Sequence, residues 1–297
     1  YFRISELVLA PAFSARRAVR RAHRQPAESR TMCINEGAPR RVSLGILALQ
    51  GAFEEHEACF RSLPEELVRQ LDIRQVRTVP ELEACDSLVI PGGESTTMKI
   101  IAGTDTFMDS LRRYVLGGKA TDGTSRPAHP VWGTCAGCIL LSRAVVNGKG
   151  GGGGLSGDAG LVTEAKRCKY GDQIGGIDIS SCRNFFGRQT ESFEAPVTSD
   201  DPTLDADAAG RRAFDNFPAV FIRAPAILDV GEGVRVLARV RHPSRAAALD
   251  DDRGAVVAAA SDMAMVTCFH PELVTDLRVH QYFVEEFVLK KATATAA

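Results

Sequence analysis

From residue 42 to residue 49 the chain is apolar at nearly every position and then stops at Gln50-Gly51, the pattern of a strand buried on both faces of a parallel sheet. Residues 53–71 follow at helical spacing, broken by Pro64. Residues 73–76 predict a second strand and residues 80–84 a helical turn. Residues 86–90 predict a third strand, which runs straight into Pro91-Gly92-Gly93-Glu94-Ser95-Thr96-Thr97. Helical periodicity resumes at Met98, with Phe107, Leu111, Tyr114 and Val115 on one face. Val131 and Trp132 belong to a fourth strand, and a short turn with Cys135 at its apex leads into another helix. Such alternation with short connections predicts an α/β fold in three layers: an open, mostly parallel sheet flanked by helices. The loops at the carboxyl ends of its strands then form the site.

After the Cys135 helix the regularity weakens. Residues 148–154 are almost all glycine, and residues 200–210 and 242–254 are polar and rich in Asp and Ala; all three read as loop insertions. Between and beyond them, residues 219–223, 234–240, 255–260 and 263–269 predict short strands of a mixed-sheet C-terminal half. Residues 273–291 close the chain as a helix with Leu277, Phe283, Val284, Phe287 and Val288 on one side. The resulting organisation is one domain over 42–291, with a disordered N-terminal extension over 1–41 and a disordered tail over 292–297.

Charge sharpens that division. Residues 1–41 carry nine Arg and three Glu, net +6; the remaining 27 basic and 34 acidic residues give −7, and the whole chain −1. The body therefore lacks the basic face that nucleic acid requires. Two readings of the extension stand: an Arg-rich, acid-poor transit peptide, or translated upstream sequence ahead of Met32. No run approaches the roughly 18 apolar residues of a membrane span. The eight cysteines lack the rhythm of a disulfide framework, so reduced thiols in an intracellular compartment are expected.

Candidate chemistry gathers at Gly133-Thr134-Cys135-Ala136-Gly137, a strand, a sharp turn and a helix start with a thiol between them. This is the layout of a nucleophile elbow with Cys in place of Ser, and the orphan N–H groups of the helix behind it stabilise an anion. A buried small Cys in a βα unit is the alternative, and a candidate base must decide. Of the six histidines only His270 directly follows an apolar strand; Pro271 restricts it and Glu272 stands two residues on. Cys135 as nucleophile, His270 as general base then acid, and Glu272 as orienting carboxylate make a triad. The N–H groups of Ala136 and Gly93 are the candidate oxyanion hole. A glycine-rich turn can instead cradle phosphate, but Glu94 repels phosphate and suits a substrate carrying an ammonium group. The remaining Cys and His residues lack the spacing of metal ligands, and acyl transfer needs neither metal nor cofactor.

Seven motifs in order carry a family resemblance: Leu49-Gln50-Gly51-Ala52 with Glu55-His56; Pro91 to Met98; Gly133 to Gly137; Arg183-Asn184-Phe185-Phe186-Gly187-Arg188-Gln189; Ser192-Phe193-Glu194-Ala195; Phe221-Ile222-Arg223-Ala224-Pro225; and Phe269-His270-Pro271-Glu272-Leu273. Over residues 42–288 the chain resembles the class I, triad-type glutamine amidotransferases, and among them the glutaminase subunits of pyridoxal 5′-phosphate synthase. The resemblance implies an amidotransferase-like, flavodoxin-like core and L-glutamine as substrate. It also implies that Gly93, Glu94 and Ser95 hold the glutamine while Arg183, Ile222 and Arg223 close the pocket. Ammonia would pass to a TIM-barrel synthase subunit in a heteromeric complex, with Gln50-Gly51 and the first helix towards that partner and the glutaminase nearly idle until docked. The setting implied is cytoplasmic, or organellar if residues 1–31 are a transit peptide. Other amidotransferases, γ-glutamyl hydrolases and an inactive regulatory subunit share parts of this pattern. Two departures stand out: Phe185 replaces a small residue at the pocket lip, and Cys138 makes a C-x-x-C pair with Cys135 that invites a redox reading.

Overall fold

The apolar run that begins at Val42 forms strand β1 (Val42–Leu47), buried at every position but the first. The computed structural model describes residues 40–94, 97–98, 105–119, 125–147, 173–187, 189–199, 212–241 and 254–296. The predicted insertions at 148–154 and 200–210, all of 242–254 except Gly254, and the extension up to residue 39 lie outside the described residues, as does Ser95. Pro64 divides the first helical stretch into α1 (Phe53–Arg61) and α2 (Glu65–Val68), because a proline without an N–H starts a helix well and continues one badly. Strand β2 (Leu71–Val76), helix α3 (Val79–Glu83) and strand β3 (Ser87–Ile90) follow. Helix α4 (Asp105–Leu116) leads to the small ribbon of β4 (Gly118–Lys119) and β5 (Ser125–Arg126). Then come β6 (Val131–Thr134) and α5 (Ala136–Leu141).

Helix α5 is only six residues long and all of them are buried. It passes without a loop into β7 (Ser142–Asn147), which pairs in parallel with β8 (Ile177–Arg183). Hydrophobic patterning misses these two strands because buried Ser142, Ser180 and Ser181 occupy positions where a core strand would ordinarily be aliphatic. Their hydroxyls pair internally instead: Ser142 Oγ donates to Cys138 O at 2.7 Å and lies 2.9 Å from Ser181 Oγ. The remaining strands are β9 (Phe193–Val197), β10 (Phe217–Phe221), β11 (Ala226–Val230), β12 (Arg235–Val240), β13 (Ala255–Ala260) and β14 (Ala264–Thr267). The closing segment begins later than its periodicity predicts, at α6 (Arg278–Phe283). It continues through a π-helical turn (Val284–Leu289) into α7 (Lys290–Ala296).

The large sheet has the order β2-β1-β3-β6-β14-β13-β11-β8-β7, with β12 paired to β13. From β2 to β14 every pairing is parallel, the 2-1-3-4-5 order of a flavodoxin-like core. Beyond β14 the pairings are antiparallel until β7–β8, which makes the C-terminal half mixed. Helix α1 and the closing segment pack together over β1. Strands β9 and β10 form a separate antiparallel ribbon, joined to β12 through reciprocal Thr198–Arg239 backbone bonds of 2.9 and 2.8 Å. Among the described residues no helix is long and apolar enough to cross a membrane. The consequence for function is positional. The carboxyl ends of β1, β3, β6 and β14 lie side by side at one edge of the sheet.

Candidate active site

Cys135 stands at the junction of β6 and α5 with φ +45° and ψ −98°, a conformation that side chains other than glycine rarely adopt. Its N–H donates to Thr267 O at 2.8 Å, tying the apex to the end of β14. The turn closes because a β-carbon at Gly137 would collide with the carbonyl oxygen of Ile90 at the end of β3. A glycine two residues past the thiol therefore lets the helix start press onto the neighbouring strand.

His270 leaves β14 and caps a 3-10 turn (Pro271–Leu273). Its backbone N–H donates to Val220 O at 2.8 Å, so ribbon strand β10 holds it from the other side. The ring donates from Nδ1 to Glu272 Oε1 at 2.7 Å, and the Glu272 side chain is fully buried. Burial alone would lower the His270 pKa. The charge and hydrogen bonding of the Cys135 side chain, together with Glu272, overcome this and raise it well above the usual histidine value. Burial also works against the Glu272 carboxylate, but the imidazoles of His56 and His270 hold it below the ordinary glutamate range. The arrangement is an imidazole fixed by a buried carboxylate and responsive to a thiol, which is what acyl transfer through a thioester requires.

Gly92 is wedged between these groups. A β-carbon there would stand 2.5 Å from His270 Cε1 and 3.3 Å from Cys135 Cβ. Gly93 is exposed and borders the Gln50 side chain, whose Oε1 accepts from the N–H of Glu94 at 2.7 Å. Ala136 is the first residue of α5, where the backbone N–H has no helical carbonyl to bond. Glu94 turns one carboxylate oxygen back on its own loop: Oε2 accepts from Thr97 N at 2.6 Å and Thr97 Oγ1 at 2.9 Å. Ile222 is adjacent to the thiol, with Cys135 Sγ 4.0 Å from its carbonyl oxygen. Arg223, next to it, is exposed and has φ +48°. Arg183 ends β8, half-buried, and a 3.5 Å bond from Phe186 N to Ala224 O draws its loop to the Ile222–Arg223 turn. Phe185 is buried against Phe186, with ring centroids 5.0 Å apart.

Two further sets of residues escape the sequence patterns. Cys138 faces Cys268 of the β14 end, Sγ to Sγ 3.9 Å, with both thiols buried and free, so its neighbour is not the Cys135 of the C-x-x-C pair. His56 and His280 are wholly buried beneath the site and meet at 3.0 Å. The signal for them was available: His56 lies between Phe53 and Phe60 on the inward stripe of α1, and a histidine in that position needs a buried partner. Cys59, under Glu272, is pushed up to about 11 by burial and then by that carboxylate, which leaves it an unreactive thiol. Among the described residues no group of three His, Cys, Asp or Glu is arranged to hold a metal ion.

Comparison with known proteins bears on this geometry. A family model described as the SNO glutamine amidotransferase family matches residues 46–152 and 154–289. A probable pyridoxal 5′-phosphate synthase subunit PDX2 of Arabidopsis thaliana is 36% identical, over 82% of this chain and 85% of its own. The pyridoxal 5′-phosphate synthase subunit PdxT of Carboxydothermus hydrogenoformans is also 36% identical, over 82% of this chain and 97% of its own. A crystal structure of a glutamine amidotransferase superposes with a TM-score of 0.56 at 30% identity, over 82% of this chain and 97% of that one.

Proposed function

Because the chain belongs to the SNO glutamine amidotransferase family, we propose that it is the glutaminase of a pyridoxal 5′-phosphate synthase, hydrolysing L-glutamine to L-glutamate and ammonia. The observation that carries this is the 2.7 Å His270–Glu272 pair set beside a strained Cys135 at the strand ends. The Cys135 thiolate attacks the side-chain carboxamide carbon, and the N–H groups of Ala136 and Gly93 receive the oxyanion. His270 passes its proton to the departing ammonia. It then takes a proton from the water that splits the γ-glutamyl thioester, which frees glutamate and restores the thiol. Glu272 keeps the imidazole in one tautomer and orientation throughout.

Glu94 and Ser95 are assigned to the substrate's amino-acid end, and the Thr97 bonds fix the Glu94 carboxylate before substrate arrives. Arg183 or Arg223 pairs with the α-carboxylate, for which a guanidinium offers two parallel N–H donors. Ile222 walls the thiol. The relatives are named as subunits of a synthase, which supports a heteromeric complex in which a TIM-barrel synthase subunit consumes the ammonia. Gln50-Gly51 and α1 are assigned to that contact. Free thiols at all six described cysteines fit a reducing cytoplasm. The test is to follow ammonia from glutamine with the chain alone and after adding a synthase subunit. Slow turnover that rises sharply on addition is the expected result; no rise points to a different partner. Faster cleavage of γ-glutamyl peptides than of glutamine would replace the substrate assignment.

A further inference from the structure

The triad uses one oxygen of Glu272, and the other is left buried beside a histidine that the reaction does not require. Glu272 Oε1 receives His270, whereas Oε2 is a buried atom with no hydrogen-bond partner among the described residues. His56 Nε2 lies 3.4 Å from it, within ion-pair range but not aligned as a hydrogen bond; the same nitrogen is 3.2 Å from Thr134 Oγ1. On its far side His56 Nδ1 is 3.0 Å from His280 Nε2, and His280 Nδ1 is buried without a partner. Aromatic rings box the pair in. Trp132 lies 5.4 Å from His56 and 5.0 Å from His280, and Phe60 lies 5.0 Å from His280. Burial holds both imidazoles below the usual histidine range, so both are neutral and each carries one proton.

Two tautomer patterns satisfy the 3.0 Å contact. If His56 carries its proton on Nδ1, that proton goes to His280. His280 is then left with a buried, unpaired N–H, and the bare lone pair of His56 Nε2 faces a carboxylate oxygen that has no donor. If His56 carries it on Nε2, His280 donates to His56, the His56 N–H faces both Thr134 Oγ1 and Glu272 Oε2, and the atom left bare on His280 is an acceptor. Orphaned buried donors and buried carboxylate oxygens without a donor are the costlier faults. The second pattern wins.

We propose that His56 is a positioning residue for the reaction: held as the Nε2–H tautomer by His280, it supplies the donor for the second oxygen of Glu272 and so fixes the carboxylate that orients His270. This rests on the triad reading above. Gln at position 56 can place an amide N–H near the same point, whereas Leu cannot. The full chain is therefore compared as wild type, His56→Leu, His56→Gln and Cys135→Ala for kcat and KM in glutamine hydrolysis. His56→Leu should lose about tenfold or more in kcat with KM changed less than twofold, His56→Gln should recover most of that loss, and Cys135→Ala should be inactive. His56→Leu at wild-type kcat with Cys135→Ala inactive overturns the role of His56 alone, and so does His56→Gln as impaired as His56→Leu. An active Cys135→Ala overturns the triad reading itself. Should the Leu variant not fold, imidazole ¹H–¹⁵N correlations on the unsubstituted protein decide: Nε2–H on His56 is expected, and Nδ1–H overturns the assignment.

Discussion

At the scale of single residues, the site depends on how little space separates Cys135 from His270. Gly92 fills that space, and a β-carbon there would stand 2.5 Å from the His270 ring. Gly92→Ala must therefore displace the ring or the thiol, and misplacement by about 1 Å costs on the order of 100-fold in rate. We expect Gly92→Ala to lower kcat for glutamine by about that factor while circular dichroism shows an intact fold; a fully active variant would refute the packing argument. The places of Cys135 and His270 were legible in the sequence, because each follows an apolar strand, with Glu272 two residues beyond His270. Of the buried His56–His280 pair only His56 left a mark, on the inward stripe of α1; its contacts with Thr134 of β6, Glu272 and His280 are brought together by the strand order. The partner of Cys138 was not legible: C-x-x-C spacing pointed to Cys135, and the strand order supplied Cys268.

At the scale of elements, α5 holds Cys135 in place by packing. Six buried residues follow the strained Cys135, and Gly137 lets the first turn sit on the carbonyl of Ile90. Overpacking of this kind costs about 1–3 kcal/mol. Gly137→Ala should lower the urea midpoint by that equivalent and glutaminase activity with it, whereas an unchanged midpoint would mean that α5 tolerates movement. Strands β1, β3, β6 and β14 were legible as apolar runs. Strands β7 and β8 were hidden by buried serines that satisfy one another, and α5 gave no turn signal before β7.

At the scale of the whole molecule, burying uncharged histidines ties stability to pH. His56 and His280 are held neutral by burial, and His129, stacked on Tyr114 at 4.3 Å, shifts the same way for the same first cause. Their folded values lie below that of the unfolded chain, about 6.5. As pH falls below that value the unfolded state takes up protons that the folded state refuses, so stability is lost on the acid side. His270 has the opposite shift: from pH 7 to about 5.5 the unfolded state is still taking up a proton that the folded state already holds, which offsets part of this loss, and below that it adds no slope. Urea unfolding between pH 7 and 5 should show stability falling by about 1.4 kcal/mol per pH unit for each proton taken up. The slope should be smaller in His56→Gln, and a flat profile would contradict the burial of neutral imidazoles. The flavodoxin-like strand order was legible in outline, because strand–helix alternation with short connections leaves few topologies.

All three scales converge on one claim, that Cys135 opens the glutamine amide and the ammonia serves a synthase. The direct measurement mixes wild type or Cys135→Ala with glutamine and a pyridoxal 5′-phosphate synthase subunit, and follows glutamate, ammonia and pyridoxal phosphate together. Wild type should release glutamate and form pyridoxal phosphate, whereas Cys135→Ala should release neither glutamate nor ammonia yet still bind the synthase. Release of ammonia from glutamine by Cys135→Ala would contradict the account.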